Sequence, residues 1–190
     1  MDKGKSCRPP RKRTNREENR MRRRHWKTNW KLAAHLLLAC SCLLSAAQAR
    51  ADNIRPFTAD SFKEIVAASD GGEFLLGLWS VDCPPCLVEL RLMGGVLKRN
   101  PDLPYVLVST DPIEDRDLAA EFLEDFGLAG IESWMFADHF VERLRHSIDP
   151  NWYGELPRSY FFDGNGNRES HSGIVNEELL ASWFKRPLIE

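Results

Sequence analysis

Two kinds of apolar pattern follow each other along residues 50–190, and their order predicts the fold. Continuous apolar runs of strand length occur at residues 74–80 and 105–110, as expected for central strands that are buried on both faces. Apolar residues spaced three and four apart predict helices, one over about residues 59–69 and another that starts near residue 87. Strands and helices therefore alternate in the first half of this region.

The second half continues the alternation and ends in a hairpin. An acidic amphipathic segment predicts a helix that ends at Gly127, and a short strand at residues 133–138 follows it, with a short helix behind. The letters DGNGN join two extended runs, which predicts a β-hairpin, and residues 176–186 predict a closing helix. The whole order predicts an α/β fold, with a central mixed β-sheet flanked by helices on both faces.

Residues 1–49 differ sharply from residues 50–190 in charge. The first segment contains 13 Lys and Arg against three acidic residues, whereas the second contains 13 basic and 25 acidic residues, a net charge of −12. A basic arm can bind nucleic acid, but the acidic segment would repel phosphate, so we expect no nucleic-acid partner. We predict that residues 50–190 form one domain.

The end of the basic segment predicts export. A basic region, an apolar core at residues 36–47 and small residues up to Ala49 are what a secretory signal needs, so we expect cleavage near Ala49. An uncleaved membrane anchor over residues 32–49 stays open, although such a segment is short for a span. Met21 begins a compact basic region of its own and is an alternative start.

The cysteines become informative once this segment is set aside. Cys7, Cys40 and Cys42 lie in it, which leaves only Cys83 and Cys86 in the exported domain. Two cysteines so close together are not a general disulfide framework, and a bridge across so short a loop adds little stability. The pair therefore indicates chemistry.

Cys83 and Cys86 stand where a predicted strand ends and a helix begins. Unpaired backbone N–H groups and the helix dipole at that point favour a thiolate at Cys83, and Pro84 and Pro85 fit the first turn of a helix. We expect Cys83 to attack a disulfide in a partner protein and the more buried Cys86 to resolve the mixed disulfide.

Two other interpretations of the pair stay open. One is an inert structural disulfide. The other is a metal site, which normally needs four N or S ligands. The exported domain adds only three histidines, all far from the pair in sequence: His139, His146 and His171. We therefore predict no metal.

Four features together resemble the thioredoxin fold: Trp79 before the first cysteine, the strand–CxxC–helix order, the letters GELP, and the hairpin. The export signal, CPPCLVE and FFDGNGN followed by HSG are similar to the TlpA-like group of bacterial periplasmic thiol-disulfide oxidoreductases, which includes the ResA and CcmG reductants of cytochrome c maturation. The resemblance covers residues 55–186. It implies a periplasmic enzyme that reduces disulfides of envelope proteins, is supplied with electrons by a membrane donor, and needs no cofactor.

The same resemblance implies roles for four further residues. Pro157 matches a cis-proline that packs beside the redox pair, and Leu156 would offer its backbone to a bound partner strand. Glu89 matches an acidic residue that assists proton transfer to the resolving cysteine, and Trp79 would form part of the platform around the pair. A solvated helix carboxylate and a plain core aromatic remain the alternatives for Glu89 and Trp79.

The chain also departs from the family pattern. Asp82 replaces an aromatic residue before the first cysteine, and a carboxylate there opposes ionisation of Cys83. Gly77 stands where thioredoxins proper carry a buried Asp, and Leu156 stands where Thr or Val is usual. The alternatives to a reductant are a DsbA-like oxidase or isomerase, and a Sco-like copper-binding chaperone that uses the pair and one His.

Overall fold

A computed structural model of the chain describes residues 53–189. Its strands are β1 (Ile54–Phe57), β2 (Glu73–Trp79), β3 (Tyr105–Pro112), β4 (Glu132–Phe136), β5 (Arg158–Asp163) and β6 (Arg168–Ser172). Its α-helices are α1 (Ser61–Ala68), α2 (Pro84–Arg99), α3 (Arg116–Asp125), α4 (Val141–Ile148) and α5 (Glu177–Trp183).

The six strands form one mixed sheet in the order β1-β4-β3-β2-β5-β6. The first four strands in this order are parallel, and β5 and β6 join them in antiparallel fashion. Each predicted strand and helix is present, so the predicted central mixed sheet is confirmed. The sequence analysis did not predict β1.

Helices cover both faces of this sheet and enclose two apolar cores. Leu75 and Trp79 of β2 face a core that α2, α3 and α5 complete. Leu76 and Leu78 face the other core, which α1 and α4 complete. Because β2 is buried on both faces, its sequence is a continuous apolar run rather than an alternating one.

Strand β1 lies at one edge of the sheet and contains a proline. The Phe57 carbonyl accepts a hydrogen bond from the Ala137 N–H, which follows β4. Successive residues of a strand direct their backbone groups to opposite sides, so the nitrogen of Pro56 faces away from β4, on the side where no strand of residues 53–189 pairs with β1. Four residues that include a proline gave too weak a signal to be predicted as a strand.

Residues 1–52 lie outside the described part of the chain. The predicted signal segment, its cleavage near Ala49 and the alternative start at Met21 therefore remain predictions, as does the domain boundary at residue 50. Among residues 53–189, no helix is both long enough and apolar enough to cross a membrane.

Candidate active site at the Cys83–Cys86 disulfide

Cys83 and Cys86 form a disulfide at the point where β2 passes into α2. Cys83 is the N-cap of α2 in an extended conformation, and Pro84 and Pro85 occupy the first turn. Both prolines fit there because the first N–H groups of a helix have no partner within it. The local sequence thus places the first sulfur at the very start of the helix.

The two sulfurs differ in exposure. Cys83 is half-buried, whereas Cys86 is completely buried in the first core. The backbone N–H of Cys86 donates to the Cys83 Sγ at 3.2 Å. A thiolate formed at Cys83 would find the same donor in place, so the geometry suits Cys83 as the sulfur that meets a partner and Cys86 as the sulfur that stays inside.

Pro157 lies next to the end of β2, which is four residues before Cys83. Arg158 pairs with Leu78 in the β2–β5 ladder, which places Pro157 next to Trp79 at the end of β2. The Leu156–Pro157 peptide bond is cis. Within residues 53–189, no hydrogen bond involves the backbone N–H or C=O of Leu156.

Trp79 and Leu156 occupy different environments. The Trp79 side chain is 2% exposed and belongs to the same core cluster as Cys86. Leu156 is half-buried and packs against both cores. Trp79 therefore packs within the core that contains Cys86, and Leu156 lies between the two cores, next to Pro157.

Glu89 lies on α2, three residues after Cys86, and is only 3% exposed. Its Oε2 accepts a hydrogen bond of 2.7 Å from the Val175 N–H, in the loop between β6 and α5. Of the two sequence-based interpretations, the solvated carboxylate is wrong, because Glu89 faces the core beneath the disulfide.

Burial raises the pKa of Glu89 to about 7, against the opposing effects of the Val175 N–H and the Ser159 hydroxyl. Ser159 is fully buried on β5, and its hydroxyl lies outside the geometry of an ordinary hydrogen bond. A carboxyl group with this pKa exchanges its proton readily near neutral pH.

Tyr105 fills the space that a side chain at Gly77 would occupy. A Cβ at Gly77 would stand 2.6 Å from the Tyr105 hydroxyl oxygen. Burial raises the pKa of Tyr105 well above its usual value, and the charge of Glu89 adds to that effect. The place where thioredoxins proper carry a buried Asp is thus taken by a neutral phenol, and Glu89 is the proton-exchanging group nearby.

A second buried carboxylate, which the sequence analysis missed, contacts the segment between β2 and the pair. Asp111 is 9% exposed at the end of β3. Its oxygens accept hydrogen bonds from the Ser80 hydroxyl at 2.6 Å, the Val81 N–H at 2.9 Å and the Ser109 hydroxyl at 2.6 Å. Ser80 and Val81 belong to the segment that leads into Cys83.

Exposed apolar side chains flank the pair. Tyr153, in the loop before Pro157, is 89% exposed, and Val88, early in α2, is 57% exposed. Their segments carry the cis-proline and the disulfide.

The histidines do not gather around the pair. His139 and His146 are exposed near α4, and His171 is half-buried on β6 against the Trp183 ring. Nowhere in residues 53–189 do three or more His, Cys, Asp or Glu side chains form a group that could hold a metal ion.

The comparisons with known proteins give one curated relative. The thiol:disulfide interchange protein DsbE of Vibrio cholerae is 26% identical over 125 residues, which are 63% of this chain and 62% of that protein. The chain thus matches less than two thirds of the relative's length. No protein-family model matches the chain.

Solved structures show the same fold. A secreted Mycobacterium tuberculosis disulfide oxidoreductase homologous to E. coli DsbE matches with a TM-score of 0.51 at 19% identity, over 63% of this chain and 84% of that one. A thioredoxin-family thiol:disulfide interchange protein from Chlorobium tepidum matches with a TM-score of 0.50 at 22% identity, over 63% and 81%. The predicted thioredoxin fold is confirmed.

Proposed function

We propose that this chain, which shares the thioredoxin fold and a resemblance to thiol:disulfide oxidoreductases, is itself such an enzyme and reduces disulfides of bacterial envelope proteins through Cys83 and Cys86. One observation carries the proposal. The disulfide at the start of α2 joins a half-buried cysteine, Cys83, to the fully buried Cys86, and the buried side of α2 also carries a carboxyl group with a pKa of about 7.

The reaction uses only groups of the chain and of its substrate. In the reduced enzyme, the Cys83 thiolate attacks one sulfur of the substrate disulfide and expels the other as a thiolate. Cys86 then gives its proton to Glu89 and attacks the Cys83 Sγ, which forms the Cys83–Cys86 disulfide and releases the second substrate sulfur. Two electrons pass to the substrate, and its two sulfurs leave as thiolates, which then take up protons from Glu89 and water.

The charges near the pair favour a reductant over an oxidant. A strong oxidant needs a stabilised thiolate in its reduced form. Here Asp82 is exposed directly before Cys83, and the Glu89 carboxylate is buried after Cys86. Both negative groups oppose a thiolate, so they stabilise the disulfide relative to the dithiol.

The remaining roles belong to the same proposal. Leu156, whose backbone groups form no hydrogen bond within residues 53–189, would bind an extended substrate strand, while Pro157 and Trp79 would shape the surface around the sulfurs. Regeneration of the dithiol requires a second protein that donates two electrons, and we propose a membrane donor. The cysteines carry the electrons, so no cofactor takes part. The predicted signal supports a periplasmic location for the enzyme, either free or anchored through residues 32–49.

The experiment that tests the proposal is a redox titration. The full chain, with Cys7, Cys40 and Cys42 replaced by alanine, is equilibrated in dithiothreitol and glutathione buffers, and the oxidised fraction of Cys83 and Cys86 is measured. A midpoint potential near or below about −230 mV supports a reductant. Cys86→Ala and Cys83→Ala variants are then mixed with an extract of envelope proteins that has been reduced and reoxidised. The Cys86→Ala variant should accumulate mixed disulfides with proteins of the extract, whereas the Cys83→Ala variant should not.

Other outcomes of these measurements would support one of the alternative functions. A potential near about −120 mV would indicate a DsbA-like oxidase. A pair that does not cycle would leave the inert disulfide, and stoichiometric uptake of Cu(I) that is lost with a single His replacement would favour the Sco-like chaperone.

A further inference from the structure

The Asp111 carboxylate is a buried charge with an unusual set of partners. It accepts hydrogen bonds from two hydroxyl groups and one backbone N–H, and forms no ion pair with any residue between 53 and 189. Two of the three donors, Ser80 and Val81, belong to the connection between β2 and α2. A buried carboxylate is unfavourable unless hydrogen bonds satisfy it, and here two of the bonds that satisfy it also hold the connection to β3.

These contacts extend to Cys83. The Ser80 hydroxyl, which donates to Asp111, also accepts from the Asp82 N–H at 3.2 Å. The Ser80 carbonyl accepts from the Cys83 N–H at 3.2 Å. One side chain on β3 thus fixes a turn whose last hydrogen bond ends on the backbone of Cys83.

A distortion of β3 accompanies this arrangement. The pairing between β3 and β4 shifts register between Ser109 and Pro112, so β3 contains a β-bulge or a similar irregularity around Asp111. The Asp111 N–H donates to the Ser109 hydroxyl at 3.1 Å, while that hydroxyl donates to the Asp111 carboxylate. Bulges of this kind re-aim a side chain, and here the carboxylate is held toward the turn.

We infer that Asp111 is a positioning residue, which holds the Ser80–Asp82 turn so that the Cys83 sulfur stays against the Cys86 N–H at the start of α2. The inference rests on the proposed function. Without the carboxylate, the turn loses its anchor and Cys83 samples positions in which the Cys86 N–H no longer stabilises its thiolate. Loss of alignment lowers both the thiolate fraction and the rate of attack.

The test compares variants in the background with Cys83 and Cys86 as the only cysteines. Asp111→Asn keeps the shape but removes the charge and one acceptor. We expect its second-order rate constant for reduction of a small disulfide to fall roughly ten- to a hundredfold. The thiolate fraction of Cys83 at neutral pH, measured by the pH dependence of alkylation, should fall as well.

A milder pair of variants covers the case in which Asp111→Asn does not fold. Ser80→Ala removes the hydroxyl that links Asp111 to the turn and should lower the rate in the same direction, whereas Ser80→Thr keeps a hydroxyl and should restore it. Asp163→Asn is the matched control. Its carboxylate accepts hydrogen bonds from Asn165 and Asn167 in the β5–β6 turn, remote from the pair in sequence.

The outcomes separate the two proposals. An unchanged rate and thiolate fraction in folded Asp111→Asn and Ser80→Ala would overturn the positioning role. A rise in the thiolate fraction would overturn it too, because it would show that Asp111 acts through its charge. If the unsubstituted protein reduces no disulfide, the proposed function itself fails, and the inference falls with it.

Discussion

Replacement of Glu89 by Gln should stabilise the oxidised protein in a pH-dependent way. Gln retains an oxygen that can accept the hydrogen bond from the Val175 N–H, but it never carries a charge. The wild-type carboxyl has a pKa of about 7 in the folded protein against an ordinary value of 4.5. The folded state therefore holds the proton more tightly than the unfolded state.

The sign and size follow from this difference. Below a pH of about 4.5, the carboxyl is protonated in both the folded and the unfolded state, so folding buries no charge at Glu89. As the pH rises from 4.5 to about 7, the unfolded chain ionises first, so the free energy of unfolding falls. Above that range the loss is complete, and it amounts to roughly 3 kcal/mol, since each pKa unit corresponds to about 1.4 kcal/mol.

The assay is denaturant unfolding of the oxidised full chain without reductant at about pH 4 and about pH 8. At the lower pH, Glu89→Gln and wild type should have similar free energies of unfolding. At the higher pH, the variant should be more stable by up to about 3 kcal/mol. Glu121→Gln, a change at an exposed position of α3, should have little effect at either pH.

Equal differences at both pH values would refute the reasoning, because they would show that Glu89 does not ionise with a raised pKa. The same variant bears on activity. If Glu89 takes the proton of Cys86, the Glu89→Gln variant should resolve mixed disulfides more slowly than wild type. The variant would then gain stability and lose activity, a trade-off that is common at active sites.

Two glycines give further predictions, each measured by denaturant unfolding. An alanine Cβ at Gly94 would overlap the Phe126 carbonyl oxygen. Gly94→Ala should therefore lower the free energy of unfolding by about 1–3 kcal/mol or more. Gly95→Ala is the control and should not lower it, because no neighbouring atom lies nearer than 3.6 Å to a Cβ at that position. Gly77→Ala should lower the free energy of unfolding by about 1–3 kcal/mol, because its Cβ would meet the Tyr105 hydroxyl. Tyr105→Phe in the same chain should recover part of that loss. A loss of the same size with and without the Tyr105 hydroxyl would contradict this explanation.

The burial of Glu89 could be predicted from the sequence. Glu89 lies three residues after Cys86 and four before Met93, and both neighbours are completely buried on α2. Helical spacing therefore puts the carboxylate on the apolar face. What the sequence could not supply is the partner: the Val175 N–H comes from a loop 86 residues away.

Asp111 shows the opposite case. In the sequence it is one acidic residue at the end of a strand, and several others follow in residues 114–125. No feature of the pattern distinguishes Asp111 from these solvated acidic residues. Its burial depends on the bulge in β3 and on the fold bringing Ser80, 31 residues away, against it. Strand pairing across the chain, rather than local pattern, creates this part of the site.

Among residues 53–189, β1 and β6 are the edge strands of the sheet, and no further strand pairs with either of them. At β1 the nitrogen of Pro56 faces outward and offers no donor, and at β6 the strand carries Arg168 and Glu169, both exposed. Neither edge is suited to receive an added strand. Under the proposed function, partner proteins therefore contact the loops around the disulfide rather than an edge of the sheet. Such an arrangement would suit an enzyme that releases each substrate after a single exchange, because a partner strand paired along the sheet would dissociate slowly.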